Sequence, residues 1–172
     1  MAVASPTVLV TVGTDHPPFD RLVRWVDAWA RRNPDAHVLV QYGTAAPPAV
    51  AEGRPLLPAD EFRLAIERAD AVVCAGGPGA IMETRAAGLR PIVVPRRAVL
   101  GQHVDDHQRA FAEFMAARDA ITLADDEVAL LAALDGVIAD RDAHRVPSED
   151  GGAEGIARIG ALIDDLVLRG AR

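Results

Sequence analysis

A chain of 172 residues is long enough to enclose a full hydrophobic core and short enough to be one domain. Half of its residues are apolar and 25% are charged, and the net charge of −7 speaks against nucleic acid or an anionic membrane surface as the main partner. The lone cysteine, Cys74, excludes an internal disulfide framework and fits a reducing compartment, and no apolar run reaches the ~20 residues that a membrane span requires.

The first residues lack the basic region and apolar stretch of a secretion signal, so any work at a membrane is expected to pass through a partner. Residues 7–12 form an apolar, β-branched run closed by Gly13 and Thr14, the pattern of a buried parallel strand with a turn at its carboxyl end. Pro17 and Pro18 lead into a helix to about residue 32, with Phe19, Leu22, Val23, Val26 and Ala30 as its apolar stripe. Trp25 and Trp29 fall to one side of that stripe and read as rim packing, with a subunit interface as the alternative for Trp25. Residues 37–42 read as a second strand, closed by Gly43 and Thr44. The alanine- and proline-rich stretch 45–58 reads as a loop with one brief strand and an apolar pair at Leu56 and Leu57. A helix over 59–68 follows, with Phe62 and Ile66 facing inward.

Residues 70–75 are a short apolar run that reads as another buried strand, and Gly76, Gly77 and Gly79 follow at its end. A helix then starts near Pro78, with Ala80 and Glu83 in its early turns, and Gly88 closes it. Residues 91–95 read as a strand, and a loop over 96–102 leads to a helix over 103–117. Phe111, Phe114 and Met115 form the stripe of that helix, with Val104 and His107 near the same face. A short strand at 120–123 and a helix from about 125 to 139 come next. Residues 141–153 are charged, hold proline and glycines, and read as a loop or linker. The final helix, within 154–172, carries a wide apolar stripe of Ile156, Ile159, Leu162, Ile163, Leu166 and Val167, suited to this domain or to a partner.

Strands alternating with helices predict an α/β fold of Rossmann-like type, an open, mostly parallel sheet with helices on both faces, over residues 1–140. Ligands of such folds sit beyond the carboxyl ends of the strands. Four loops converge there: Gly13-Thr14, Gly43-Thr44, residues 76–79, and the segment from Arg96 to Gln108. A helix N-terminus offers unpartnered N–H groups and a positive dipole, and glycine lets a diphosphate approach the backbone. Glycine also serves α/β turns for steric reasons alone, so the motif leaves a structural role open beside an anion site. Glu83 is placed either to accept hydrogen bonds from a ribose diol or to complement the helix dipole. Arg96 and Arg97 are placed to neutralise a diphosphate or a uronic acid carboxylate, or to face water. His107 reads as a packed histidine or as a ligand contact beside Gln108. His103 and His107 have an i, i+4 spacing, but no third ligand accompanies them and no metal site is expected. Asp105 and Asp106 read as solvated, and Cys74 as an inert strand cysteine.

Several of these stretches together resemble a known group. Val10-Thr11-Val12-Gly13-Thr14 with Phe19-Asp20-Arg21-Leu22, Gln41-Tyr42-Gly43, Gly77-Pro78-Gly79-Ala80-Ile81-Met82-Glu83, residues 88–96 and Gly101-Gln102-His103-Val104-Asp105-Asp106-His107-Gln108 are similar to the small cytosolic subunits of two-component glycosyltransferases. That group shares the C-terminal, donor-binding lobe of glycosyltransferase family twenty-eight, of the two-lobed GT-B architecture. The likeness covers residues 7–125 and is strongest to bacterial exopolysaccharide members. It implies a donor-binding subunit that uses a UDP-sugar as substrate, needs no cofactor, and is completed by a membrane-associated partner carrying the acceptor lobe and the catalytic base. The protein is then expected in the cytoplasm, recruited to the inner face of the membrane, and no nucleophile is implied.

By the same resemblance Glu83 takes the ribose, and the backbone around Gly76, Gly77, Pro78, Gly79 and Ala80, with Gly13 and Thr14, holds the diphosphate. The resemblance further assigns His107 and Gln108 to the donor sugar and the loop near Leu57 to the edge of the uracil. Ala75 departs from the pattern, which often has histidine there. Two other readings share the architecture: a non-catalytic nucleotide-sugar binding module, and a lobe of a nucleotide-sugar epimerase or hydrolase.

Overall fold

The computed structural model describes residues 5–147. Six parallel strands run in the order β3-β2-β1-β4-β5-β6, namely β1 (Thr7–Thr11), β2 (His37–Gln41), β3 (Glu52–Arg54), β4 (Ala71–Cys74), β5 (Ile92–Val93) and β6 (Thr122–Leu123). The expected Rossmann-like α/β sheet is the observed one. Every residue of β4 is buried, as a central strand covered on both faces requires.

Alternation along β1 divides the core. Val8 and Val10 face α1 (Asp20–Arg32) and α5 (Glu127–Ala139), where Phe19, Leu22, Val26, Leu130 and Leu134 are buried. Leu9 faces the opposite layer with Leu57, Ile66 of α2 (Ala59–Arg68) and Val72. Further along that layer, Cys74 and Val93 pack on Ile81 of α3 (Pro78–Ala86) and on Phe111 and Met115 of α4 (His107–Ala116). Helices thus cover both sheet faces, and the strand ends stay open.

Three local readings, on Trp29, the start of α4 and Val104, are corrected. Trp29 is not at a rim: it is fully buried between α1 and α5, and its indole Nε1–H donates to Asp135 Oδ1 at 2.8 Å. The brief strand of the 45–58 stretch is β3, at the sheet edge. The helix expected from residue 103 begins at His107, because a 3₁₀ turn (Ala98–Leu100) and the left-handed Gly101 (φ 67°) occupy the preceding chain. Val104 consequently lies off any helix stripe and is 88% exposed.

Residues 141–147 dock on the domain through a 3₁₀ turn (Asp142–His144) and a Leu89–Arg145 bridge. Arg90 N–H donates to the His144 carbonyl at 3.0 Å, and Val146 N–H to that of Gly88 at 2.9 Å. The helix expected within 154–172 and residues 148–153 of the segment before it lie outside the described residues.

Candidate functional site

The sheet order changes direction at β1, whose neighbours β2 and β4 leave on opposite sides, and a crevice opens where their following loops part. Gly13 turns the chain out of β1 in the left-handed region (φ 79°), and its N–H donates to Thr11 Oγ1 at 3.1 Å. Gln41, a buried amide at the end of β2, ties three segments together. Its Nε2 donates to Thr11 Oγ1 at 3.0 Å, and its Oε1 accepts the Leu57 N–H at 2.9 Å. This clamp fixes the back of the crevice.

The turn after β4 supplies the opposite wall. Gly77 is the N-cap of α3 and Pro78 its first residue, with no side chain capping the exposed N–H groups. The glycines here have different reasons to be glycine. A Cβ on Gly76 would lie 2.9 Å from both Cβ and the carbonyl oxygen of Gln108, so its absence lets α4 approach β4. Gly77 and Gly79 have no left-handed φ and no atom within 4 Å of a built Cβ, so the fold itself does not demand them. Open space above bare helix N–H groups is what an anion needs.

The resulting cleft has a volume of about 460 Å³. Of the expected site residues, Gly13, Thr14, Leu57, Gly77, Gly79, Ala80, Glu83 and Gln108 line it. Glu83 is exposed, and its carboxylate carries no hydrogen bond or ion pair among the described residues. Gly76 is buried beneath the wall, and Pro78 is exposed on the helix start without lining the cleft. The Leu57 N–H is already committed to Gln41, which leaves its carbonyl for any contact with a base.

Two further expected residues, Arg96 and His107, are not on the cleft wall either. Arg96 neither faces water nor lines the cleft: it is completely buried. Its guanidinium donates to the carbonyls of Val12 at 2.8 Å, Gln102 at 3.1 Å and Pro17, and it stacks 4.8 Å from the Phe19 ring centroid. Burial lowers its pKa. His107 is 59% exposed and turned to Asp105, whose Oδ2 lies 2.7 Å from its Nδ1. Asp105 is not simply solvated, since Oδ1 is also 3.2 Å from His103 Nδ1. The His107 backbone N–H, foremost among its partners, holds the Asp105 carboxyl below the usual carboxylate range. Arg97 is likewise occupied, donating to the Asp125 carbonyl at 3.0 Å.

The cleft also holds residues that sequence reasoning missed: Asp15, Gln41, Phe62 and Arg63. A polar residue ending an apolar strand marked Gln41, and Asp15 lies two positions beyond Gly13. Phe62 and Arg63 carried no such signal, because only the placement of α2 brings them to the cleft. Among the described residues no group of three or more metal-ligating side chains converges, and no helix is long and apolar enough to cross a membrane.

Solved structures with the same fold include the glycotransferase of kitacinnamycin, at a TM-score of 0.61 and 23% identity, covering 80% of this chain and 35% of that one. CalG4, the calicheamicin glycosyltransferase, aligns at 0.59 and 20% identity, covering 98% of this chain and 45% of its own. MurG of Acinetobacter baumannii aligns at 0.58 and 21% identity, covering 83% and 44%. The chain therefore spans less than half the length of each. A search of curated proteins finds no match. The family model of the glycosyltransferase family 28 C-terminal domain matches residues 7–145, and the chain belongs to that family.

Proposed function

We propose that this chain is the donor-binding lobe of a glycosyltransferase that uses a uridine-diphosphate sugar. The observation that carries the reading is the pair Gly77 and Gly79, which leave open space at the start of α3 without any need of the fold, with Glu83 facing the same cleft six positions after Gly77. In this reading the N–H groups at the α3 start and the Gly13-Thr14 turn hold the diphosphate, Glu83 accepts hydrogen bonds from the ribose hydroxyls, and the Leu57 carbonyl meets the uracil edge. Gln108 reaches the sugar. His107 stays a candidate sugar contact only if its ring leaves Asp105.

The lobe positions the donor and stabilises the leaving diphosphate electrostatically. The acceptor site and the general base lie on a second lobe, which the likeness to two-component glycosyltransferases assigns to a membrane-associated partner; the chain itself spans 35% to 45% of the structures it resembles. An exopolysaccharide or lipid-linked glycan is the product class that such a partner serves.

Calorimetric titration of the protein with UDP tests this reading. Wild type should bind, and Glu83→Ala should lose about 1–3 kcal/mol through the missing charged hydrogen bonds. Equal affinity for both proteins removes Glu83 from the site, and no binding by wild type overturns the assignment.

A further inference from the structure

The walls of the cleft have an order. Glu83 stands furthest along α3, Gly79 and Gly77 at its start, Gln108 against Gly76 just before it, and Asp15 on Gln108. A nucleotide laid with its ribose at Glu83 and its diphosphate at the helix start, the reading on which this inference rests, carries its sugar toward Gln108 and Asp15.

Asp15 is anchored from behind. Its Oδ2 accepts the Gln108 Nε2–H at 3.0 Å and lies 3.9 Å from both Arg96 Nε and His103 Nε2. A carboxylate only accepts, so the Gln108 amide must turn its NH₂ toward Asp15. The other oxygen, Oδ1, has no hydrogen bond or ion pair among the described residues, and the side chain is 46% exposed on the cleft wall. The cation behind it is out of a ligand's reach, because Arg96 is completely buried, with both Nη groups donating to the carbonyls of Val12, Pro17 and Gln102 and its Nε facing Asp15 itself. At this end the charged group that a sugar meets first is the Asp15 carboxylate, partly offset by Arg96 behind it.

We propose that Asp15 determines the donor class: its open carboxylate oxygen accepts a hydroxyl of a neutral hexose and repels a uronic acid. Of the sequence readings of Arg96, a diphosphate, a uronic acid carboxylate or water, this sets aside the uronate. Asp15→Asn keeps an acceptor for Gln108 while removing the charge, and Asp15→Ser removes the charge and withdraws the acceptor to a shorter hydroxyl.

The experiment is calorimetric titration of the whole chain with UDP, UDP-glucose, UDP-galactose and UDP-glucuronate, with folding checked by circular dichroism. Wild type should bind at least one neutral sugar nucleotide roughly tenfold more tightly than UDP-glucuronate, the order of one like-charge encounter at a half-exposed site. Asp15→Asn and Asp15→Ser should both shrink that gap while leaving UDP affinity unchanged. Equal or tighter binding of UDP-glucuronate by wild type overturns the proposal, whatever the variants do. If both variants tighten UDP itself, Asp15 faces the diphosphate and the proposal also falls. Wild type that fails to bind even UDP overturns the cleft reading and this inference together, whereas the other two failures leave the cleft reading intact.

Discussion

Alanine at Gly79 separates a ligand role from a fold role. Gly79 is the second residue of α3, has no left-handed φ, and has no atom within 4 Å of a built Cβ. The methyl group therefore meets nothing in the unliganded protein, and the better helix propensity of alanine should add about 0.5 kcal/mol to stability. On the ~2–4 °C per kcal/mol of a domain this size, the melting temperature should rise by about 1–2 °C. The same methyl intrudes where a diphosphate would meet the helix N–H groups. Loss of one charged hydrogen bond, about 1.5–3 kcal/mol, should weaken UDP binding roughly 10- to 150-fold. Gly76→Ala is the contrast, because its Cβ would lie 2.9 Å from Gln108 Cβ and the Gln108 carbonyl oxygen. Overpacking there should lower stability by about 1–3 kcal/mol. Thermal unfolding followed by circular dichroism, paired with UDP calorimetry, measures both quantities. A Gly79→Ala protein that binds UDP as wild type does would refute the cradle. One that loses stability would show that the fold does need this glycine.

Three further outcomes are expected. Arg96→Met should lower stability by about 3 kcal/mol in urea unfolding, since three carbonyls lose a charged donor; wild-type stability with lost UDP binding would instead return Arg96 to a ligand role. Cys74, buried with its thiol pushed up to about 12 by desolvation, should resist alkylation in the native protein at pH 8, and fast labelling would contradict that burial. Asp105 has a folded-state pKa below its ordinary 3.8, so its contribution to stability is complete above that value and lost as pH falls through the folded one. The melting temperatures of wild type and Asp105→Asn should accordingly converge as the pH drops below about 3.8, and a constant difference would contradict the pairing with His107.

The parallel sheet was legible because its inner strands are buried on both faces and read as unbroken apolar runs, as residues 7–12 and 70–75 do. The glycine turn and the convergence of strand ends followed from the same alternation of elements. β3 was not legible in place, since Glu52–Arg54 is short and carries no apolar pattern. Trp29 was misread because its cover comes from Asp135 and α5, 106 positions away, which the periodicity of α1 does not register. Arg96 read as a charge at a loop start, set to meet an anion or water. Its three carbonyl partners meet only once the loops after β1 and β5 have folded together. Val104 suggested an early start for α4, yet the left-handed Gly101 and the turn before it delay the helix to His107.

The most direct test of the donor cleft is a nitrogen-15 NMR titration of the protein with UDP. Saturable shifts should be largest at the amides of Gly77, Gly79 and Ala80, with smaller ones at Gly13, Thr14 and Glu83. Shifts that do not saturate, or that gather instead on the separate groove lined by His37, Leu39 and Leu64, would contradict a nucleotide at the start of α3.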